Sequence, residues 1–587
     1  MSLVPSAVES SPVAERSRYR ARSGARWLIL GLYLLGAVAL TARLWIDPAS
    51  RAQIGDPEDV DLFAWFMRYA ATAVSHGHLP ALFTTAMNAP RGINVMWNTS
   101  FLLPSVLLSP VTLLLGPQVS LDIALTLGFA GSAASMFWVL SRWGAGIWPA
   151  AFGGAVYGFS SALVNSSIGH YHMQFAVLPP LIVDAALRIV TGRGRPVRTG
   201  AWLGLLTGAQ VFIGEELLTL TAVACLLLIV VVAVGQPRSV PGRLRGAALG
   251  LGAAAAVALV ISGYALWEQL RGPLGQRGSP WITSAFTSHP ADLVSPSGSM
   301  LLHTGASAAG AVSASSPLPE YLAYLGWPLI VVLLAAAVRY WRDPRVRATA
   351  VTFAVLELFS FGGGAGVFMP WRWLDGLPIL SQVLPDRFPI VADGAAAAVL
   401  AFSLDLARSA APERSGWARR NWPFAVAVLA LVPLIPLPLS AGQAPPVPAG
   451  WQTAFARLHL AANAPVLVVP VPYSHQPEVL RWQADTGEPR SFMGGWFVGP
   501  DLNGQATVEY FGPYDCSVTA RYLDELGTGS LTRTTDIPRP EINVALAYWR
   551  PAAIVAVTDP RSPLGRVMTE LFGRPSIRAG QVLAWRR

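Results

Sequence analysis

The 587-residue chain contains no lysine, so all 42 of its basic residues are arginine. That usage marks a GC-rich, bacterial type of coding sequence rather than a function. Charge is scarce as well. Only 13% of residues are charged and 53% are hydrophobic, where a soluble globular protein carries about 25% charged residues. With a mean hydropathy of +0.46, this excludes a soluble enzyme, a disordered chain and a fibre. Two cysteines, Cys225 inside an apolar run and Cys516 far downstream, exclude a disulfide framework and a cysteine metal cluster. There is no GxxxxGK(S/T) phosphate loop, no HExxH, no clustered CxxC and no internal repeat. The glycine-rich FGGGAG at 361–366 lacks the strand and helix of a phosphate loop and reads as a flexible exit from a helix.

What the chain has is apolar sequence of membrane-spanning length. Runs near 27–46, 119–140, 149–164, 173–190, 200–215, 217–234, 246–266, 322–340, 348–362, 388–408 and 422–440 predict a polytopic α-helical membrane protein with eleven spans. The net charge of +9 and pI near 9.9 do not point to nucleic acid, because the arginines lie in short clusters between apolar runs and act as topology signals. Arg16, Arg18, Arg20, Arg22 and Arg26 precede the first run and place a tail, 1–26, in the cytoplasm. That run is too long for a signal-peptide core and is read as a retained helix.

The segment 101–116, short and holding Pro104 and Pro110, suits an interfacial or re-entrant piece as well as a spanning helix, and parity decides for the former, because a span here would put the later arginine clusters outside. Helix parity then puts the clusters Arg188/Arg193/Arg195/Arg198, Arg238/Arg243/Arg245, Arg339/Arg342/Arg345/Arg347 and Arg408/Arg414/Arg419/Arg420 inside. The expected organisation is a transmembrane domain over 27–440 in a bacterial plasma membrane, with a large first outer loop at 47–118 and further outer loops at 267–321 and 363–387. An extracytoplasmic α/β domain follows at 441–587. It opens on the Pro-rich linker GQAPPVPAG and continues with helix-like 451–462, strand-like 466–470, helix-like 517–527 and strand-like 552–557 and 582–585. GASAAGAVSASS at 305–316 reads as a flexible loop.

Polar candidates gather at the outer boundary. Asp56, Glu58, Asp59 and Asp61 follow the first helix, where a carboxylate can stay ionised while facing a cavity and serve as general base or bind a divalent cation such as Mg²⁺, Mn²⁺ or Ca²⁺. The alternative is a solvated cluster that caps the next helix, with Asp59 or Asp61 as N-cap; Asp61 is expected to start an amphipathic helix, LFAWFMRYAATAV. The turn-rich NAPRGINVMWN offers Asn94 and Asn98 as hydrogen-bond partners for a sugar, or simply packs the loop. His170 and His172 are metal or acid/base candidates, or interfacial hydrogen-bonders. Glu215 and Glu216 interrupt an apolar stretch and face either water or a partner. Arg387 can hold a phosphate bidentately, or pair with Asp386 or an acid of the first loop. Trp451, Trp482, Trp496 and Tyr510 form either a binding face or a core.

The motif IGDPxxxD at 54–61 after the first helix, the Pro-broken 101–116, PRGINVMWN at 90–98 and AFGGAVYGFS at 151–160 resemble the GT-C superfamily of membrane glycosyltransferases over about residues 27–410. The family often has two adjacent acids in this loop; here Asp56 is separated from Glu58 and Asp59. The tail resembles the additions of actinobacterial arabinosyl- and mannosyltransferases in position only. The resemblance implies sugar transfer outside the cytoplasm from a polyprenyl-phosphate donor to an envelope glycan, lipid or protein. A first-loop carboxylate would take the acceptor's proton as C1 is attacked with inversion. Asp56 is the first choice as base, followed by Asp59 and Asp61. Arg387 is the phosphate ligand, and His170, His172, Glu215 and Glu216 are cavity residues. The rivals are a flippase for a lipid-linked glycan, which predicts inverted repeats and mid-membrane ionisable residues, and a non-catalytic scaffold whose outer domain binds glycan.

Overall fold

Proline decides where the helices break. The computed structural model describes residues 12–239, 241–313, 318–363, 369–410, 416–531 and 537–587. Among these, five helices are long and apolar enough to cross a membrane: Pro117–Arg142, Ile147–Ser166, Glu215–Gly235, Pro241–Arg271 and Pro385–Ala410. Among the described residues, the other six expected spans do not form a single helix that is apolar over a spanning length. The expected run 173–190 is interrupted before Pro179-Pro180 and yields Tyr171–Gln174 and Pro179–Val190. Pro196–Val211 and Pro344–Ser360 likewise begin on a proline, which fixes the first helical φ and needs no N–H partner there. The first helix is Pro12–Leu40, of which Gly24–Leu40 is apolar. The stretch 101–116 forms two short helices, Leu102–Leu107 and Ser109–Leu115, broken at Leu108 ahead of Pro110, so it holds no helix of spanning length.

The long helices carry bare apolar side chains, among them Val234 and Val260 at 74% and 87% exposure. A surface of that kind on helices of this length faces lipid. Between helices the contacts are close and small. A Cβ on Gly200 would lie 2.0 Å from the Gly250 carbonyl oxygen, and one on Gly204 would lie 2.4 Å from that of Ala254. The glycine spacing of four lets the helices Pro196–Val211 and Leu244–Arg271 touch backbone to backbone.

Residues 451–586 build a five-stranded mixed sheet. Its order is Ile577–Ala579, Val582–Arg586, Ala553–Val557, Pro465–Val469 and Ser491–Phe492, with the central pair parallel. The expected strands and both expected helices form, as Trp451–Leu458 and Tyr514–Gly527. The expected Pro-rich linker is tied down at its start. Ala441–Gln443 pairs antiparallel with Arg51–Gln53, so the chain leaving the last membrane helix is tied to the exit of the first. Nor does the sheet keep its core to itself. Leu467, Val469 and Leu480 pack in one cluster with Leu62, Phe66, Ile93 and Val95 of the first loop. Trp451 and Trp482 are core residues, 1% and 7% exposed.

The expected loop at 305–316 contains the helix Gly305–Ser313; 314–316 lie outside the described residues. So do residues 1–11 of the tail, 364–366 of the glycine-rich segment and Arg414.

Candidate functional site

The helix Pro57–Ser75 owes its start to the sequence Gly55-Asp56-Pro57. Pro57 takes the first helical position, and Asp56 is its N-cap with extended φ of −153° and no side-chain capping bond. The N-cap is therefore Asp56, not Asp59 or Asp61. Its carboxylate turns away from the helix toward the turn at 168–170. Gly169 makes this approach possible: at φ +88°, a Cβ there would fall 2.4 Å from Asp56 Oδ2.

His170 follows that glycine and collects the acids. Its Nε2 lies 3.3 Å from Asp59 Oδ2 and 3.9 Å from Asp56 Oδ2, while Nδ1 lies 3.5 Å from Glu320 Oε1. Glu320, which the sequence reading did not single out, also binds Arg387, whose Nε donates to Glu320 Oε2 at 3.0 Å and whose Nη2 donates to Oε1. Arg387 Nη1 donates to Glu216. All three guanidinium nitrogens thus serve carboxylates, which favours the ion-pair reading of this arginine, with Glu216 and Glu320 as its hydrogen-bonded partners. Trp496 donates its indole N–H to Asp59.

These groups line one cavity of about 460 Å³, together with Glu58, Asn98 and His172. Burial, then the nearby Asp59, pushes the Asp56 carboxyl up to about 8. Burial works to lower His170, but Glu320 and Asp59 outweigh it and raise the imidazole to about 9. Burial works to raise Glu320, and Arg387 and His170 hold it below the usual carboxylate range. His172 is kept well below its ordinary value by burial and the neighbouring His170, so it is a neutral ring stacked on Phe63 at 5.7 Å.

The other candidates sit elsewhere. Asp61 is in the second turn of the helix rather than at the start of one, buried against Arg481 Nε at 2.8 Å. Burial raises its carboxyl and Arg481 opposes the rise. Glu215 points away from its neighbour Glu216 and accepts from Gln269 Nε2 at 2.7 Å. Asn94 is buried and spends its amide on Met96 N, Glu268 O and Pro273 O. Asn98 lines the cavity, yet its amide clamps the backbone of Val498 in both directions. Both asparagines do the work of loop packing.

Oxygens of Asp56 and Asp59 and a nitrogen of His170 all lie within 4.8 Å of one another, so the three can share one ion. Two carboxylates and one imidazole suit Mg²⁺, Mn²⁺ or Zn²⁺. The cavity's charge agrees: five carboxyl groups (Asp56, Glu58, Asp59, Glu216, Glu320) face one arginine and two histidines, of which His172 is neutral.

No family profile and no curated protein matches the chain. Among solved structures it is similar to the arabinofuranosyltransferase AftD from Mycobacteria, with TM-score 0.53 and 15% identity over 96% of this chain and 39% of that one. It is also similar to the archaeal oligosaccharyltransferase AglB from Archaeoglobus fulgidus, with TM-score 0.46 and 11% identity over 90% of this chain and 69% of that one. The chain thus spans well under half of AftD. Its fold is similar to that of AftD.

Proposed function

We propose that a chain with this fold and this acidic cavity transfers a sugar from a polyprenyl-phosphate donor to an envelope glycan, lipid or protein. The observation that carries the reading is the convergence of Asp56, Asp59 and His170 at one helix start, backed by the Glu320–Arg387–Glu216 chain. A buried carboxyl pushed up to about 8 is a far stronger base than a solvated one once it is ionised. Asp56 accepts the acceptor hydroxyl's proton as that oxygen bonds to C1 of the sugar. The C1–O bond to the lipid phosphate breaks, the electron pair leaves with the phosphate, and C1 inverts. Asp59 and the Glu320-anchored His170 hold the acceptor side of the cavity in place.

A divalent ion held by Asp56, Asp59 and His170 would supply positive charge to the departing phosphate. Without such an ion, the excess of carboxylates opposes a lipid phosphate, and Arg387 and His170 together do not offset them. The exposed apolar helices beside the cavity suit a donor whose tail stays in the bilayer. The first loop and the sheet unit are read as lying on the outer face of a bacterial plasma membrane, where a lipid-linked donor takes the place of a nucleotide sugar.

The test is incubation of the purified protein with radiolabelled polyprenyl-phosphate sugars, followed by thin-layer separation. Labelled product appearing in an acceptor fraction supports transfer. Label that crosses reconstituted vesicles unchanged would instead identify a flippase.

A further inference from the structure

The helix Pro57–Ser75 has a second cavity at its other end, and the proposed chemistry makes no use of it. The helix stops at HGHLP. His76 is its C-cap and Gly77 follows at φ +80°, the left-handed residue that commonly ends a helix. The turn brings the rings of His76 and His78 together, 6.3 Å apart and 25° from parallel. Each engages Nδ1 in the local backbone, at Thr72 O and Leu79 O. That leaves Nε2 as the nitrogen for a ligand.

One turn or two earlier, Tyr69 stacks on Trp65 at 5.1 Å and 9°. The Tyr69 hydroxyl donates to Ala81 O at 2.8 Å, so the ring is held at both ends. Loop residues of the sheet unit, Asn463 and Glu488 among them, close the opposite wall, and Arg68 is fixed across the boundary by a 2.7 Å bond to Ala484 O. The enclosed volume is about 410 Å³, within the range of small-ligand clefts.

Three features narrow the ligand. A fixed aromatic stack offers a flat apolar platform at little entropic cost. Planar polar groups (Arg68, two imidazoles and an amide) suit a ligand rich in hydroxyls. The lining charge is close to balanced, with one arginine against one glutamate that itself pairs with Arg490, unlike the acid-rich cavity at the helix start. Metal binding does not fit: among the described residues, the three-ligand group is Asp56, Asp59 and His170, and the two histidines here lack a third donor within reach.

We infer that this cavity is a subsite for a neutral saccharide. It lies about 20 Å along the helix from Asp59, at about 1.5 Å per residue. Val60–Met67, between the two sites, are buried, so an acceptor glycan seated there reaches Asp56 around the helix rather than along it. Only the ligand's role as acceptor rests on the proposed sugar transfer; the binding itself does not.

The test uses the full chain in detergent with three linear probes: maltotetraose, mannotetraose and a tetrasaccharide of arabinofuranose. Binding is read by saturation-transfer NMR. Wild type and Asp56→Asn should bind at least one probe with equal affinity. Tyr69→Ala should weaken that binding by about tenfold or more. Thr72→Trp, which alters an exposed position on the lining and removes no buried contact, should do the same even if Tyr69→Ala fails to fold. Binding by a protein that transfers no sugar would uphold the subsite and defeat the transfer reading. Sugar transfer with no binding of any probe, or binding that survives Thr72→Trp, would overturn the subsite.

Discussion

Asp61 and Arg481 are 420 residues apart in the chain and 2.8 Å apart in space, both fully enclosed, with Arg481 also donating to Gln118 Oε1 at 2.7 Å. This pair joins the first-loop helix to the sheet unit and to the start of a membrane helix. It explains why Asp61, though next in line to Asp59, belongs to the architecture rather than to the cavity.

Removing one partner of a buried pair strands the other, at a cost of about 3–5 kcal/mol. Arg481→Met should therefore lower the melting temperature in detergent sharply, and the double variant Asp61→Leu/Arg481→Met should recover most of the loss. A single variant as stable as wild type would show that the pair contributes nothing to folding.

Asp56→Asn keeps size and hydrogen bonding but removes basicity. Turnover should fall by roughly 10²-fold or more with little change in melting temperature, because the Asp56 carboxylate makes no capping bond. Activity lost only in Asp59→Asn would move the base to Asp59; normal activity in both would take the reaction away from this helix start.

Chelation should stop sugar transfer, and Mn²⁺ or Mg²⁺ should restore it. In His170→Ala, half-restoration should need about tenfold more metal or beyond, since even loss of an outer partner of a metal ligand costs 10- to 100-fold in affinity. Transfer indifferent to chelators would reduce the cluster of Asp56, Asp59 and His170 to a proton-handling site.

Arg387→Lys retains a charge but cannot span Glu216 and Glu320 at once. Donor KM should rise more than for a neutral surface change, and Arg387→Ala should raise it further while destabilising the protein by taking from Glu216 and Glu320 the cation they share. Unchanged donor kinetics for both variants would mean that Arg387 only ties helices together.

The orientation of the chain is open to direct measurement, because Cys225 and Cys516 are both buried and leave a quiet background. A cysteine placed in 191–199 should resist a membrane-impermeant thiol reagent in intact cells, and one placed near 445 should react. Reaction at both positions would overturn the parity assigned to 101–116.

The sequence showed the sheet unit well where strands are continuous apolar runs, as at Pro465–Val469 and Ala553–Val557. It did not show the helices Glu478–Thr486 and Arg539–Trp549, whose apolar faces are read only against the partner they cover. At 173–190 the expected run is broken for a local reason: hydropathy averages over Pro179-Pro180, and the backbone does not. In the site, Asp56, Asp59 and His170 were legible because acids and imidazoles are costly at a membrane boundary. Glu320 was missed although it is the one charged residue between 305 and 326, a lone acid just ahead of an apolar run. Arg481 carried no such signal, since nothing in its neighbourhood points to a partner 420 residues earlier.

The shared core of the first loop and the sheet unit also sets a clock. Leu62 and Phe66 leave the ribosome near the start of synthesis, while Leu467, Val469 and Leu480, which cover them, come some 400 residues later. At about 5–20 residues per second, that is an interval of roughly 20–80 s. Throughout it, the helix bearing Asp56 has no cover on one side and its Asp61 has no counter-ion. A ribosome that stalls before the last quarter of the message therefore releases a chain with its membrane helices in place and its cavity unbuilt. The helix that starts at Asp56 is among the first parts made and among the last to be finished.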